Sequence, residues 1–104
     1  MLYDDGRIAC GETGMTIRGY YFPWGSKRIP YGAIHSVRRL PPGAGRLRIW
    51  GSGDFVHWWN LDPGRPKKAV AFEIDTGGRI RPAITPDDPE ELAQILDERV
   101  VARG

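Results

Sequence analysis

Nucleophilic catalysis needs a nucleophile beside a base, and the chain holds one cysteine, Cys10, and two histidines, His35 and His57. Nothing in their spacing brings them together. Cys10 ends the apolar stretch Ile8-Ala9-Cys10, where a free thiol behaves as a small hydrophobe. A metal site would need His35, Asp54, His57 and Asp62 to converge, and no two of them have ligand spacing. Gly43-Ala44-Gly45 and Gly51-Ser52-Gly53 are Gly-x-Gly pairs. Neither has the further Gly of a phosphate loop or opens a helix, and no Gly-x4-Gly-Lys-Ser/Thr occurs. The pairs Asp87–Asp88 and Glu90–Glu91 stand at a helix start, where capping accounts for them. The expectation is a chain without catalytic, cofactor or metal site.

Binding chemistry is better represented. Phe55, Trp58 and Trp59 lie close to His57, Asn60, Arg65, Lys67 and Lys68. Such a cluster suits base stacking, insertion at a membrane interface or a protein contact; equally, one Trp can fold back over the domain. Neighbouring residues of extended chain point opposite ways, so one of Trp58 and Trp59 should be core and the other partly exposed. From Arg18 to Arg48 there are seven basic residues and no acid. Residues 1–52 carry eight Lys/Arg and three acids, giving +5, while residues 53–104 carry seven and ten, giving −3. This window is either a solvated face or a surface for an anionic partner. One of the adjacent Arg38 and Arg39 should look inward or edgewise and require a carboxylate, with Glu73 and Asp75 as candidates. The candidate interaction residues are Trp24, Lys27, Arg28, Arg38, Arg39, Arg46, Trp58 and Trp59.

The elements that must position these residues fit in one domain of 104 residues. A content of 11% aromatic and 40% hydrophobic residues argues against disorder, and 14 Gly with 9 Pro favour short strands and tight turns over a helical bundle. A single cysteine excludes an intrachain disulfide. The longest aliphatic or aromatic run, Ala69-Val70-Ala71-Phe72, is far below the roughly 20 residues of a membrane span. The start Met1-Leu2-Tyr3-Asp4-Asp5 does not resemble a secretory leader, and the expected location is cytoplasmic.

Seven strands are predicted, within about residues 7–85. Arg7–Cys10 is short. In Met15–Tyr21, alternation puts Met15, Ile17 and Tyr21 on one face and Thr16, Arg18 and Tyr20 on the other. Phe22-Pro23-Trp24-Gly25 fits a type I turn into Ser26–Pro30, and Tyr31–Ile34 reads as one helical turn tucking Ile34 inward. His35–Leu40 and Arg46–Trp50 follow, separated by a Pro/Gly loop. Residues 51–68 read as irregular. Ala69–Asp75 faces Val70, Phe72 and Ile74 inward and Glu73 and Asp75 outward. A turn at Thr76-Gly77-Gly78 leads to Arg79–Thr85, with Ile80 and Ile84 inward. Asp88 as N-cap, Pro89 at the first position and Glu91 three residues after the cap start a helix over about 89–102. Its apolar stripe is Leu92, Ile95, Leu96 and Val100.

Seven strands followed by one amphipathic helix is the element order of a pleckstrin-homology-like (PH-like) domain. The residues also resemble bacterial PH-like domain proteins of unknown function. The likeness lies in the stretch Tyr21-Phe22-Pro23-Trp24-Gly25-Ser26-Lys27-Arg28-Ile29-Pro30-Tyr31, with Ile34 and Val37, and in Ile84-Thr85-Pro86-Asp87-Asp88-Pro89. It extends from about Met15 to Arg99. The resemblance implies a mainly β, partly open barrel of two near-orthogonal antiparallel sheets, capped by the C-terminal helix. Eukaryotic relatives that hold phosphoinositides use a Lys in the first strand and a basic-x-Arg pattern in the second. Here the first turn is Gly11-Glu12-Thr13-Gly14 and Thr16 stands two residues before Arg18, so headgroup binding does not carry over.

The functional expectation is a non-enzymatic binding or self-association module whose partner is protein, with exposed sheet edges as the means. The alternative is a peripheral binder of acidic lipid, at the inner membrane surface, or of nucleic acid, through Lys27, Arg28, Arg38, Arg39 and Arg46.

Overall fold

Period-two alternation underlies the strands, and the acidic, proline-led segment after residue 85 forms a helix. The computed structural model describes residues 2–21, 25–41, 50–52, 56–68 and 70–100. Strands β1 (Tyr3–Asp4), β2 (Ile8–Cys10), β3 (Gly14–Tyr21) and β4 (Gly25–Pro30) form an antiparallel sheet in that order. Strands β5 (Ser36–Arg39), β6 (His57–Trp59), β7 (Phe72–Asp75) and β8 (Arg81–Ile84) form a second sheet, in the order β5-β7-β8-β6. Helix α1 (Pro89–Arg99) follows. The fold is mainly β, and among the described residues the two sheets do not close into a barrel. A 3-10 turn at Tyr31–Ala33 buries Ile34, as the sequence predicts.

The structure differs from the sequence-based expectations at five places. β1 precedes the first expected strand. It forms because the Asp5 carboxylate accepts the Arg7 and Ile8 N–H groups at 2.9 and 2.7 Å, closing a tight turn at Gly6, whose φ is +90°. β6 lies within the stretch expected to be irregular and runs parallel to β8, so the second sheet is not wholly antiparallel. The connection from Trp59 to Arg81 carries β7 and is long enough for parallel partners. In β3 the inward face switches, since Tyr20 is buried and Tyr21 is 52% exposed. Gly19 at φ +71° and a shift of register between Ile17 and Tyr21 insert a bulge, which reverses the alternation. Ile80 is exposed because 76–80 form the turn, with Gly77 at φ +86°, and β8 begins only at Arg81. Glu73 lies on the outward face as expected and pairs with Arg38, but that face is covered there and Glu73 is 2% exposed.

The turn expected at 22–25, the loop at 41–45 and the strand at 46–50 fall largely outside the described residues, as do Trp24, Arg46, Asp54 and Phe55.

One core lies between the sheets and α1. In the first sheet a row of inward side chains, Tyr3, Cys10, Met15 and Ile29, crosses all four strands. Phe72, Ile74 and Ile84 face them from the second. Leu92 and Leu96 of α1 are buried in this core, with Ile95 and Val100 packed at its margin. The Asp88 carboxylate accepts the Glu91 N–H at 3.1 Å and Pro89 takes the first turn, so the sequence's start signal is used. Tyr3 ties the helix start to β1: its hydroxyl donates to Asp5 at 2.6 Å and accepts the Asp88 N–H at 3.0 Å.

Candidate functional site

Strand edges are where a β domain has unused hydrogen bonds, and among the described residues three of the four outer strands are blunted. β1 has two residues. β4 carries Lys27 and Arg28 and stops at Pro30, which cannot donate. β6 is bridged to Gly51, with N–H to O distances of 3.0 Å in both directions between Gly51 and Trp59.

β5 is different. Leu40 donates its N–H to Ala71 O at 2.8 Å, continuing the register that pairs Arg38 with Glu73. Bonding and non-bonding positions alternate along an antiparallel ladder, so Val37 and Arg39 turn their N–H and C=O groups away from β7. Among the described residues nothing pairs with them.

Beside this edge runs a groove of about 780 Å³ between β5 and α1. Val37, Phe72, Ala93, Leu96 and Val100 give it an apolar lining. His35 and Arg39 edge it on the strand side, and Glu90, Gln94 and Asp97 on the helix side. Arg39 spans the groove end, with its guanidinium 3.1 Å from the Glu90 carboxylate and 5.5 Å from the centre of the Phe72 ring.

The opposite face of the same sheet holds a charged cluster built on Glu73. Its carboxylate accepts from Arg81 at 2.8 Å and from Arg38 at 3.0 Å, and lies 2.5 Å from His57 Nε2. Burial alone would raise its pKa; the bonds from His57, Arg81 and Arg38 outweigh burial and hold it below the ordinary carboxylate value. Arg81 also reaches Asp75 at 3.6 Å. Beside this cluster Leu40, Trp59, Ala71 and Ala83 form a second small core.

Arg38 and Arg39 thus take opposite faces of β5; neither is turned inward, since both side chains stay exposed (64% and 50%), and both find carboxylates, one on Glu73 and one on Glu90. Lys27 stands over the Tyr20 ring at 5.4 Å and Arg28 bonds the Thr13 hydroxyl at 2.7 Å, and among the described residues neither pairs with a carboxylate. Trp59 is 5% exposed and Trp58 half-buried, matching the expectation of one core and one partly exposed Trp. The indoles of Trp50 and Trp58 both donate to Tyr20 O, at 3.1 and 2.8 Å, and pack edge to face with centres 5.0 Å apart.

Several residues that decide the local chemistry are misjudged by sequence reasoning. Arg65, counted among the basic neighbours of the aromatic cluster, is fully buried. It donates to Asn60 O at 2.8 Å, Asn60 Oδ1 at 2.7 Å and Thr85 Oγ1 at 3.1 Å, and lies over the Trp59 ring at 5.0 Å. Burial lowers its pKa to about 10. Lys68 is likewise structural, bonding Asp62 at 2.6 Å and Asp87 at 2.7 Å. The signal for Glu73 lies in its neighbours: Ala71 and Ala83 occupy the same outward positions, and small apolar residues there indicate a covered face.

His35, His57 and Cys10 do not converge. His35 sits against Gly77, His57 on Glu73, and Cys10 is buried in the first sheet, where burial pushes its thiol up to about 11. No group of three or more metal-ligating side chains occurs among the described residues, and no helix there is long and apolar enough to cross a membrane. Compared with known protein families, curated proteins and solved structures, the chain finds no match.

Proposed function

We propose that this chain is a PH-like binding module that acts without catalysis, taking an extended segment of a protein partner as an added strand on β5. The observation that carries the reading is the β5 edge that no described residue pairs, with Val37 and Arg39 aimed outward, lying beside an apolar groove walled by α1. Main-chain bonds to such an edge supply affinity that is largely independent of sequence, and a groove under alternate side chains supplies selection. The PH-like part of the proposal rests on the element order and on the resemblance of residues 21–31 and 84–89. The non-enzymatic part is supported by the separation of Cys10 from both histidines and by the engagement of His57 with Glu73.

The anionic-surface alternative keeps one observation in its favour, the exposed Arg28 and half-buried Lys27, neither paired with a carboxylate among the described residues. It is weakened by the compensation of Arg38 and Arg39. Binding of anionic vesicles and single-stranded nucleic acid at low and physiological salt tests it, since phosphate contacts are strongly salt-dependent. Binding that Lys27→Glu/Arg28→Glu abolishes would support this alternative.

The test of strand addition is Val37→Pro. The Val37 N–H points away from β7, and Ser36 is already extended, so proline removes one outward donor while sparing the ladder. NMR titration with acetylated decapeptides of alternating apolar and polar residues should shift the Val37 and Arg39 amides of the wild type. Val37→Pro should fold and lose that binding. Peptides that leave both amides unmoved at millimolar concentration, or binding indifferent to Val37→Pro, would overturn the proposal.

A further inference from the structure

Resting on the strand-addition reading, we infer that β5 selects an acidic extended segment of a different protein, with apolar and acidic residues in alternation, over a second copy of this chain. An added strand places alternate side chains on the two faces of the sheet. A side chain opposite Val37 lies over the groove, against Ala93, Leu96 and Val100 of α1. That position calls for an apolar residue, and Asp97 on the helix wall disfavours an acid there. The next residue lies on the opposite face, beside Arg38. The Arg38 side chain is 64% exposed and spends one N–H group on Glu73, which is also held by Arg81 and His57. A guanidinium has five donors, so Arg38 can take a carboxylate from an incoming strand without abandoning Glu73.

Self-pairing lacks this complementarity. Among the described residues of this edge only Val37 and Arg39 offer outward bonds, so two copies related by a two-fold axis must oppose odd-numbered to odd-numbered residues. With Val37 opposite the second copy's Arg39, Arg38 stands directly against its own copy. With Val37 opposite Val37, His35 stands against Arg39 and Arg38 against Ser36. With Arg39 opposite Arg39, the two arginines face each other. In none of the three registers does an arginine gain a carboxylate, whereas like charges directly opposite each other destabilise a sheet.

The test compares acetylated peptides alternating Val with Glu, Gln or Lys, with binding read by fluorescence anisotropy, and light scattering of the protein alone. The Val–Glu peptide should bind roughly three- to tenfold more tightly than Val–Gln, and Val–Lys more weakly than either. The preference should shrink at high salt and in Arg38→Gln, whose amide can still donate to Glu73. If that variant does not fold, the salt dependence of the wild type carries the same comparison. Equal binding of the three peptides overturns the acidic preference and leaves strand addition standing. Failure of all three to bind overturns strand addition itself. A dimer that Val37→Pro dissolves overturns the choice of a different protein as partner.

Discussion

Gly19 holds the bulge that turns Tyr20 into the core and supports the carbonyl on which both Trp50 and Trp58 depend. Its φ of +71° lies in the left-handed region, where a side chain costs about 1–2 kcal/mol. A Cβ at Gly19 would also stand 2.9 Å from the Leu61 Cβ and 3.4 Å from Leu61 N and O. The obstacle is backbone-anchored: Leu61 donates its N–H to Gly19 O at 2.8 Å, and Asn60 Nδ2 holds Arg18 O at 3.1 Å. Leu61 can move only by straining those bonds, which adds about 1–3 kcal/mol of overpacking. Gly19→Ala should therefore destabilise by about 2–5 kcal/mol, out of a total expected for a domain of about 5–15. Gly6→Ala is the internal control. Its φ is +90°, but nothing lies within 4 Å of the Cβ, so only the backbone cost of about 1–2 kcal/mol applies. Urea denaturation followed by tryptophan fluorescence should give a markedly lower midpoint for Gly19→Ala than for Gly6→Ala, at similar slopes. Equal losses in the two variants would refute the steric part of the argument, and no loss in either would refute the conformational part as well.

Two further predictions concern the helix and the buried charge. Leu96 is 2% exposed in the core, so Leu96→Ala should cost about 2–5 kcal/mol, while Glu98→Ala, on the exposed side of α1, should cost little; comparable small shifts in melting temperature would contradict the packing. Glu73 has its folded pKa lowered from the ordinary 4.5 against the opposing effect of burial. Its stabilising contribution is therefore fully present above the unfolded value and is lost as pH falls through the lower folded value. The stability advantage of wild type over Glu73→Gln should be level at neutral pH and shrink on acidification below about 4.5; parallel stability curves through that range would contradict the assignment.

The strand segments are legible because their periodicity reports a face: Met15 and Ile17, Phe72 and Ile74, and the helical stripe of Leu92 and Leu96 all reach the core. Helix initiation at Asp88-Pro89 is legible because capping is local chemistry, satisfied within four residues. So is the opposition of Arg38 to Arg39, a consequence of strand geometry alone. What fails does so where a distant segment intervenes. The face of Tyr20 depends on a bulge braced by residues 60–61, about forty positions away. Glu73 and Arg65 look like solvent-facing charges, because burial of a charge is decided by the partners the fold supplies. β6 is missed because three aromatic-rich residues become a strand only when β8 lies alongside. The candidate site follows the same division. Its residues, Val37 to Arg39, are visible in the sequence as a strand with two arginines. That this strand is an outer one among the described residues, beside a groove under α1, follows from sheet order, which pairwise contacts between remote segments determine and local pattern does not.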